Sequence, residues 1–450
     1  MPIVTVPGAN HSTVSLSYDL DANALLARYI AGVIKTGLAG GTIEAFDSKS
    51  GFPPPLPPGK TGEFVQSETG ATLMPKGYDF VVDAAKTALI FGNGDANEAV
   101  LVGNGNLQFF AAGGSGSVIG GGGKDMITVV PTDSGNWLIA LGNGDDSIRA
   151  LGGGSDTIST GSGHGILQLG SGSDFITTTG SDTVLAGTGS ETINAIGAHD
   201  VVYGNASSLF FVAGGAATIF GGTGSDTVIG TTGKALFEGG SAGNNVLQAG
   251  SGPATLFGGG NGDQLYAGGD KAQQLHAAGG NETLFGGFAS GNDTFYGGSG
   301  SDQITGGSGN NTFVAGTGTA TITASPGSMN LFDLMKTMGG GSETVTGLTD
   351  PSQVHIDLSG YGKNEIKYAL AQQSTTDGSV TVTLSDNTTV TFQNIASLSG
   401  SNFTDTNSSL GSGGDHHHHS NGGFGDTDGF GGDKWGNNDH KWSDPSRHGH

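Results

Sequence analysis

The 450-residue chain contains no cysteine, so neither a disulfide nor a thiolate metal site holds its fold. Basic residues are scarce. Sixteen Lys and Arg against 40 Asp and Glu leave a net charge of −24, which argues against nucleic acid or anionic lipid as partners and suits a protein that takes up cations. No apolar run approaches the roughly 18 residues of a membrane span, so none is predicted. The first 20 residues, MPIVTVPGANHSTVSLSYDL, lack the basic segment and apolar core of a cleaved signal peptide, and a secreted form would need another export route.

Signatures of catalysis are also poor. No H-E-x-x-H occurs, and Gly59-Lys60-Thr61 has Pro54 where a phosphate-binding loop needs glycine. Gly239-Gly240-Ser241-Ala242-Gly243 has the spacing of a nucleophile elbow but sits in a repeat loop without strand–turn–helix context. His164, His199 and His276 are scattered. The expectation is a protein without catalytic activity.

What the chain has in abundance is glycine, 88 residues, without the strict Gly-X-Y period of collagen. From Ser290 to Thr323 it reads SGNDTFYGG, SGSDQITGG, SGNNTFVAG, TGTATIT. These are tandem nine-residue units with apolar residues at Phe295, Ile304, Phe313 and Ile322. Looser copies run upstream through Ile119, Ile127, Leu138, Ile148 and Ile158, and on through Phe210, Val228 and Val246, at about nine residues per step. That period marks a nonapeptide β-helix. Each unit reads as a short strand joined by a glycine turn, and no unit could bury its apolar residue without its neighbours.

The loops repeat G-x-G-x-D-x-apolar. Asp125, Asp146, Asp156, Asp174, Asp226 and Asp302 fit strictly, Glu191 and Asn311 with a changed side chain, and Asp182 and Asp293 with a displaced glycine. Ca²⁺ takes six to eight hard oxygens, and a glycine loop ending in a carboxylate offers carbonyl and carboxylate oxygens together. The alternative is that these side chains only satisfy turn N–H groups, as in Asx-turns. It weighs most for the irregular loops at Asp200, Asp263 and Glu282.

These loops resemble the RTX (repeats-in-toxin) family of haemolysin-type calcium-binding repeats, over about Gly113 to Thr323. The resemblance extends to Phe403 through NLFDLM, ETVTGL, VHIDL and TLSDNTTVTFQNI. It implies an all-β fold, a right-handed parallel β-roll or β-solenoid with two strands per turn. It also implies several Ca²⁺ ions held between loops one turn apart, and type I export read from the C-terminal end.

Alternate units should then share an edge. The residue two before each apolar position gives a first edge of Ser117, Asn136, Asp156, Asp174, Glu191, Ser208, Asp226, Asn244, Asp263, Glu282, Asp302 and Ala320. The second edge reads Asp125, Asp146, Gly165, Asp182, Asp200, Ala217, Ala235, Ala254, Gln273, Asp293 and Asn311. A near-continuous ligand ladder is expected on the first and an interrupted one on the second. The pairs Asp156/Asp174, Asp226/Asn244 and Asp293/Asn311, each 18 residues apart, are the best facing partners. Candidate metal ligands are Asp125, Asp146, Asp156, Asp174, Asp182, Glu191, Asp226, Asn244, Asp293, Asp302 and Asn311.

The ends differ in character. Residues 1–50 form a capping segment whose helix, Asp21 to Lys35, would present Leu25, Leu26, Tyr29, Ile30, Val33 and Ile34 to the open end of the solenoid. A proline-rich connector spans 51–77, the solenoid 78–325, and a small α+β C-terminal cap 326–403, with a hairpin around Ser385-Asp386-Asn387. Residues 404–450, with His416 to His419, read as a disordered tail, with metal binding by the histidines as a lesser alternative. The whole reads as an extracellular calcium-binding repeat protein of structural or adhesive role, with cell-surface or matrix glycans, or copies of itself, as candidate partners. An accessory β-roll for a separately encoded enzyme or toxin, or an ice-binding or glycan-binding face hinted at by Thr321-Ile322-Thr323, are the alternatives.

Overall fold

The computed structural model describes residues 1–405 except 96, 198, 206 and 288–289. The predicted disordered tail and its histidine tract lie, from residue 406, outside the described residues. Strands of two to six residues alternate between two long parallel sheets, each strand pairing with the one a full turn later. The first sheet begins with Ile43–Asp47 on Thr61–Gln66 and continues through Thr157–Ser159 and Ser301–Thr305 to Ser342–Thr346. The second runs from Gly70–Leu73 through Met126–Val129 to Val354–Asp357 and Phe403–Thr404. The parallel β-solenoid expected from the nine-residue rhythm is the fold.

Its core is two facing columns of side chains. In the first sheet Ile158, Ile176, Ile193, Phe211 and Val228 stack turn upon turn. In the second, Ile127, Ile148, Leu167, Val184 and Val202 do so. All are buried, and both columns belong to one continuous core. Towards the C-terminal end the column becomes aromatic, with Phe295, Phe313 and Phe332 stacked at 5.4 and 5.5 Å. Because side chains alternate across a strand, a one-residue slip would turn this column out to solvent.

Four apolar positions read from the sequence are corrected by one residue. The core residues are Val118, Ile139, Phe211 and Leu247, not Ile119, Leu138, Phe210 and Val246. Each lies in a doublet of adjacent apolar residues, where only the partner turn decides which member points inward. Phe210 is left exposed.

The solenoid is also longer than its rhythm. Thr61–Gln66 and Gly70–Leu73, in the expected connector, are already ladder strands. Asn330–Asp333, Ser342–Thr346 and Val354–Asp357, expected in the cap, continue both sheets. Helix α1 (Asp21–Ala39) does not close the end of the stack. It lies along the outer face of the first sheet, over Val65, Val82, Leu101, Ile119 and Ala140. Its buried side is Asn23, Ala24, Ala27, Ala31 and Ile34, while Leu25 and Tyr29 are 62% and 75% exposed. Small residues let the helix sit close to a flat sheet. Asn23 fixes its start by donating to the carbonyls of Gly120 and Ala140 at 3.0 and 3.3 Å. The antiparallel hairpin β1 (Ile3–Pro7) and β2 (Thr13–Ser17) packs beside it.

At the other end the hairpin Ser379–Thr383/Thr389–Phe392 pairs with Ser342–Thr346 and finishes the first sheet. Short helix α2 (Glu365–Ala371) is tied to its turn by Glu365, which accepts from Ser385 N and Oγ at 2.7 and 2.8 Å.

Candidate metal centre

Between strands the chain turns through glycine loops that stack in register. A Cβ on Gly144 would lie 1.7 Å from the carbonyl oxygen of Gly123, and one on Gly163 1.7 Å from that of Gly144. Only glycine allows this approach. The carbonyls of one loop therefore point along the solenoid axis at the next. Each loop ends two residues before a core residue, at an edge position whose side chain turns back into the loop.

Those edge side chains form two rows. On the second edge Asp125, Asp146, Asp182, Asp200, Asp293, Asn311 and Asn330 are all buried. On the first, Glu98, Asp156, Asp174, Glu191, Asp226, Asn245, Asp263, Glu282, Asp302 and Glu343 are buried likewise. A repeated hydrogen bond builds each row: one carboxylate oxygen accepts the backbone N–H of the edge residue a turn earlier. Asp146 caps Asp125 N at 2.9 Å, Asp174 caps Asp156 N at 2.8 Å, and Asp200 caps Asp182 N at 2.9 Å. Asp226 caps Leu209 N, Asp293 caps Gln273 N, and Asp302 caps Glu282 N in the same way. The turn-satisfying role and the ligand role are thus split between two oxygens of one side chain.

The second oxygen separates the sites. On the first edge it is often used inside its own loop: Asp226 accepts from Gly222 N, Asp263 from Gly259 and Gly260 N, and Asp302 from Gly298 N. On the second edge Thr160 donates to Asp182. By contrast, Oδ2 of Asp125, Asp146, Asp200 and Asp293 is buried without any hydrogen-bond partner. So are both carboxylate oxygens of Glu282 and one each of Glu98 and Glu343. An unmatched buried carboxylate oxygen is costly. The ion pairs Lys60–Glu44, Lys124–Asp145 and His164–Asp145 lie outside the rows, while the charges of His164 and His199 act on Asp182 and Asp200 as minor influences beside burial.

The charge shows in the acidities. Burial pushes Asp125 up to about 8, with the neighbouring Asp146 adding to the rise. Burial likewise lifts Asp146, Asp156 and Glu191 to about 7, and Asp200 and Asp293 to about 6. Asp174, Asp182 and Asp226 move the same way for the same reason. Glu282 is raised by burial and by Asp302 beside it.

The rows amend the sequence reading. Asn244 is not an edge residue. It is exposed with φ +63°, and Asn245, 0% exposed, takes its place by capping Asp226 N at 2.8 Å. The Asn244-Asn245 and Val246-Leu247 doublets hid the shift. The first edge is less continuous than expected, because the corrected register puts Gly116, Trp137 and Leu209 at edge positions. Asn311 is in its row, but both ends of its amide are used: Oδ1 accepts from Asp293 N and Nδ2 donates to Gly307 O. Asp200, Asp263 and Glu282, taken as irregular, are full members of the rows.

A cation fits this arrangement. Buried anionic oxygens lack partners beside loops rich in carbonyls, and hard oxygen donors are what Ca²⁺ takes. Among the described residues no three acidic or imidazole side chains meet at one point, so an ion would draw one carboxylate per turn and complete its shell from backbone oxygens.

Comparison with known proteins agrees. The family model of the RTX calcium-binding nonapeptide repeat matches in four copies, at residues 176–208, 213–234, 239–271 and 289–322. No curated protein and no solved structure matches the chain. Repeat period, parallel ladder and acid rows converge: the chain is a parallel β-solenoid that carries four copies of the RTX calcium-binding nonapeptide repeat between residues 176 and 322.

Proposed function

We propose that the protein is an extracellular structural or adhesive rod whose fold is completed by Ca²⁺ at the edge rows, and that it acts without catalysis. The observation that supports this reading most is the set of buried carboxylate oxygens without a hydrogen-bond partner, at Asp125, Asp146, Asp200, Asp293 and Glu282, none of which takes part in the Lys60–Glu44, Lys124–Asp145 or His164–Asp145 ion pairs. The ligand-bearing residues are Asp125, Asp146, Asp200 and Asp293 on the second edge and Glu282 on the first, with Asp156, Asp174, Asp182, Glu191, Asp226 and Asp302 in the same rows. When bound, Ca²⁺ supplies positive charge between turns. The residues do the rest: one oxygen of each Asp holds the neighbouring backbone, and the other faces the loop.

In a low-calcium compartment these carboxylates repel each other and the chain is loosened. In an extracellular medium, where repeat modules bind at about 10⁻⁴ to 10⁻³ M, the rod assembles. That difference suits a chain exported before folding. The outer faces are the surfaces for glycans or further copies. The ice-binding alternative is less favoured, because aligned Thr-x-Thr strands occur at Thr321/Thr323 and Thr344/Thr346, whereas the preceding turn carries Gln303 and Thr305. Equilibrium dialysis with a metal count tests the proposal, and a chain that retains no calcium at 5 mM overturns it.

A further inference from the structure

The second edge loses its acids at Ala217, Ala235 and Ala254, and the next edge residue is Gln273, 1% exposed. Its amide is placed unlike any carboxylate in the row. Nε2 donates to Gly250 O at 2.9 Å, Gly252 O at 2.8 Å and Gly268 O at 2.6 Å, while Oε1 accepts from Gly268 N at 2.7 Å. Three carbonyl oxygens from two successive loops thus converge on one point.

An amide nitrogen carries two protons, so three acceptors at this range exceed what it can satisfy. Such a cluster of carbonyl dipoles calls for a positive charge, and Ca²⁺–oxygen distances of about 2.3–2.6 Å are only slightly shorter than these contacts. The sequence places the same loop positions elsewhere. Gly250 and Gly252 stand four and two residues before Ala254, as Gly121 and Gly123 stand before Asp125. There the next edge residue is Asp146, whose Oδ2 has no partner.

We propose that Gln273 fills a calcium position with its own amide, so that the turn it closes, in the acid-free stretch of the second edge, holds without metal. This rests on the calcium reading of the rows. It divides the second edge into a metal-requiring stretch around Asp125–Asp200 and a metal-independent stretch leading to Gln273. Asn245 has a related arrangement, its Nδ2 donating to Ala242 O at 2.7 Å, but to one carbonyl only.

The test counts calcium bound per full-length chain at saturation and follows thermal melting with and without chelator. Gln273→Asp shortens the side chain and restores a carboxylate. It should bind one ion more than wild type, and melt lower than wild type in chelator but not in calcium. Gln273→Met should leave the count unchanged and lower the melting point equally in both conditions. Hydrogen exchange on the wild type in chelator covers a Gln273→Asp variant that fails to fold: strands at 254–257 and 273–276 should stay protected while those at 126–129 and 147–150 exchange. An unchanged ion count in Gln273→Asp, or equal exchange in the two regions, overturns the inference. A wild type that binds no calcium overturns the underlying reading instead.

Discussion

Oδ1 of Asp146 accepts the backbone N–H of Asp125 at 2.9 Å, from 21 positions further along the chain, while its Oδ2, equally buried, has no partner. One oxygen belongs to the fold and the other is available to an ion. The two roles are separable by mutation. Asp146→Asn keeps an acceptor for Asp125 N and removes the charge, so metal-free stability should hold while affinity at that turn falls on the order of tenfold. Asp146→Ala removes both, and should also cost about 1–3 kcal/mol in chelator. Chelator melts and calcium titrations of the two variants separate these effects.

Acidity follows from the same burial. An unfolded Asp or Glu titrates near 4, whereas Asp125, Asp146, Asp156, Glu191, Asp200 and Asp293 are raised to between about 6 and about 8 by burial. Between those values the folded chain holds more protons than the unfolded one, so stability falls as pH rises. The metal-free protein should be most stable in mild acid and lose stability up to about pH 8, by up to about 1.4 kcal/mol per pH unit for each such group. Urea melts in chelator at pH 5 and pH 8 check this, and higher stability at pH 8 would contradict it.

Calcium should compete with those protons. Binding near pH 6.5 should release protons, visible in calorimetry as a heat that changes with the ionisation enthalpy of the buffer. Affinity should weaken as pH falls from 8 to 5.

The stack tolerates little change in its loops or core. Gly144→Ala places a methyl group 1.7 Å from Gly123 O, and the loops must separate to admit it. Phe237→Ala removes a fully buried ring from the second column and should cost about 3–5 kcal/mol. Both should lower the melting point in calcium as well as in chelator, unlike Asp146→Asn.

Much of this was legible in the sequence. The nine-residue rhythm located most core residues, because most units from Ile127 to Ile322 offer one apolar residue for one inward position. It failed at Val118-Ile119, Leu138-Ile139, Phe210-Phe211 and Val246-Leu247, where local pattern cannot choose between neighbours. The same ambiguity displaced Asn245 to Asn244. Both ends were under-read, because longer insertions, such as α2 and the hairpin before Phe392, break the spacing without breaking the ladder. The face of α1 was misjudged because hydrophobicity favours Leu25 and Tyr29, while close approach to a flat sheet favours Ala24, Ala27 and Ala31. Which carboxylate oxygens lack partners depends on contacts a turn away, beyond any local pattern.

The central claim is that the edge rows require calcium for the stack to close. Far-UV circular dichroism of the full chain at pH 7.4, titrated from excess chelator to 10 mM calcium, tests it most directly. The expected result is a reduced strand signal and a lower melting temperature in chelator, and a cooperative gain of strand with half-saturation near 10⁻⁴ to 10⁻³ M, which magnesium does not reproduce. An identical strand spectrum and melting temperature in chelator and in calcium would contradict it.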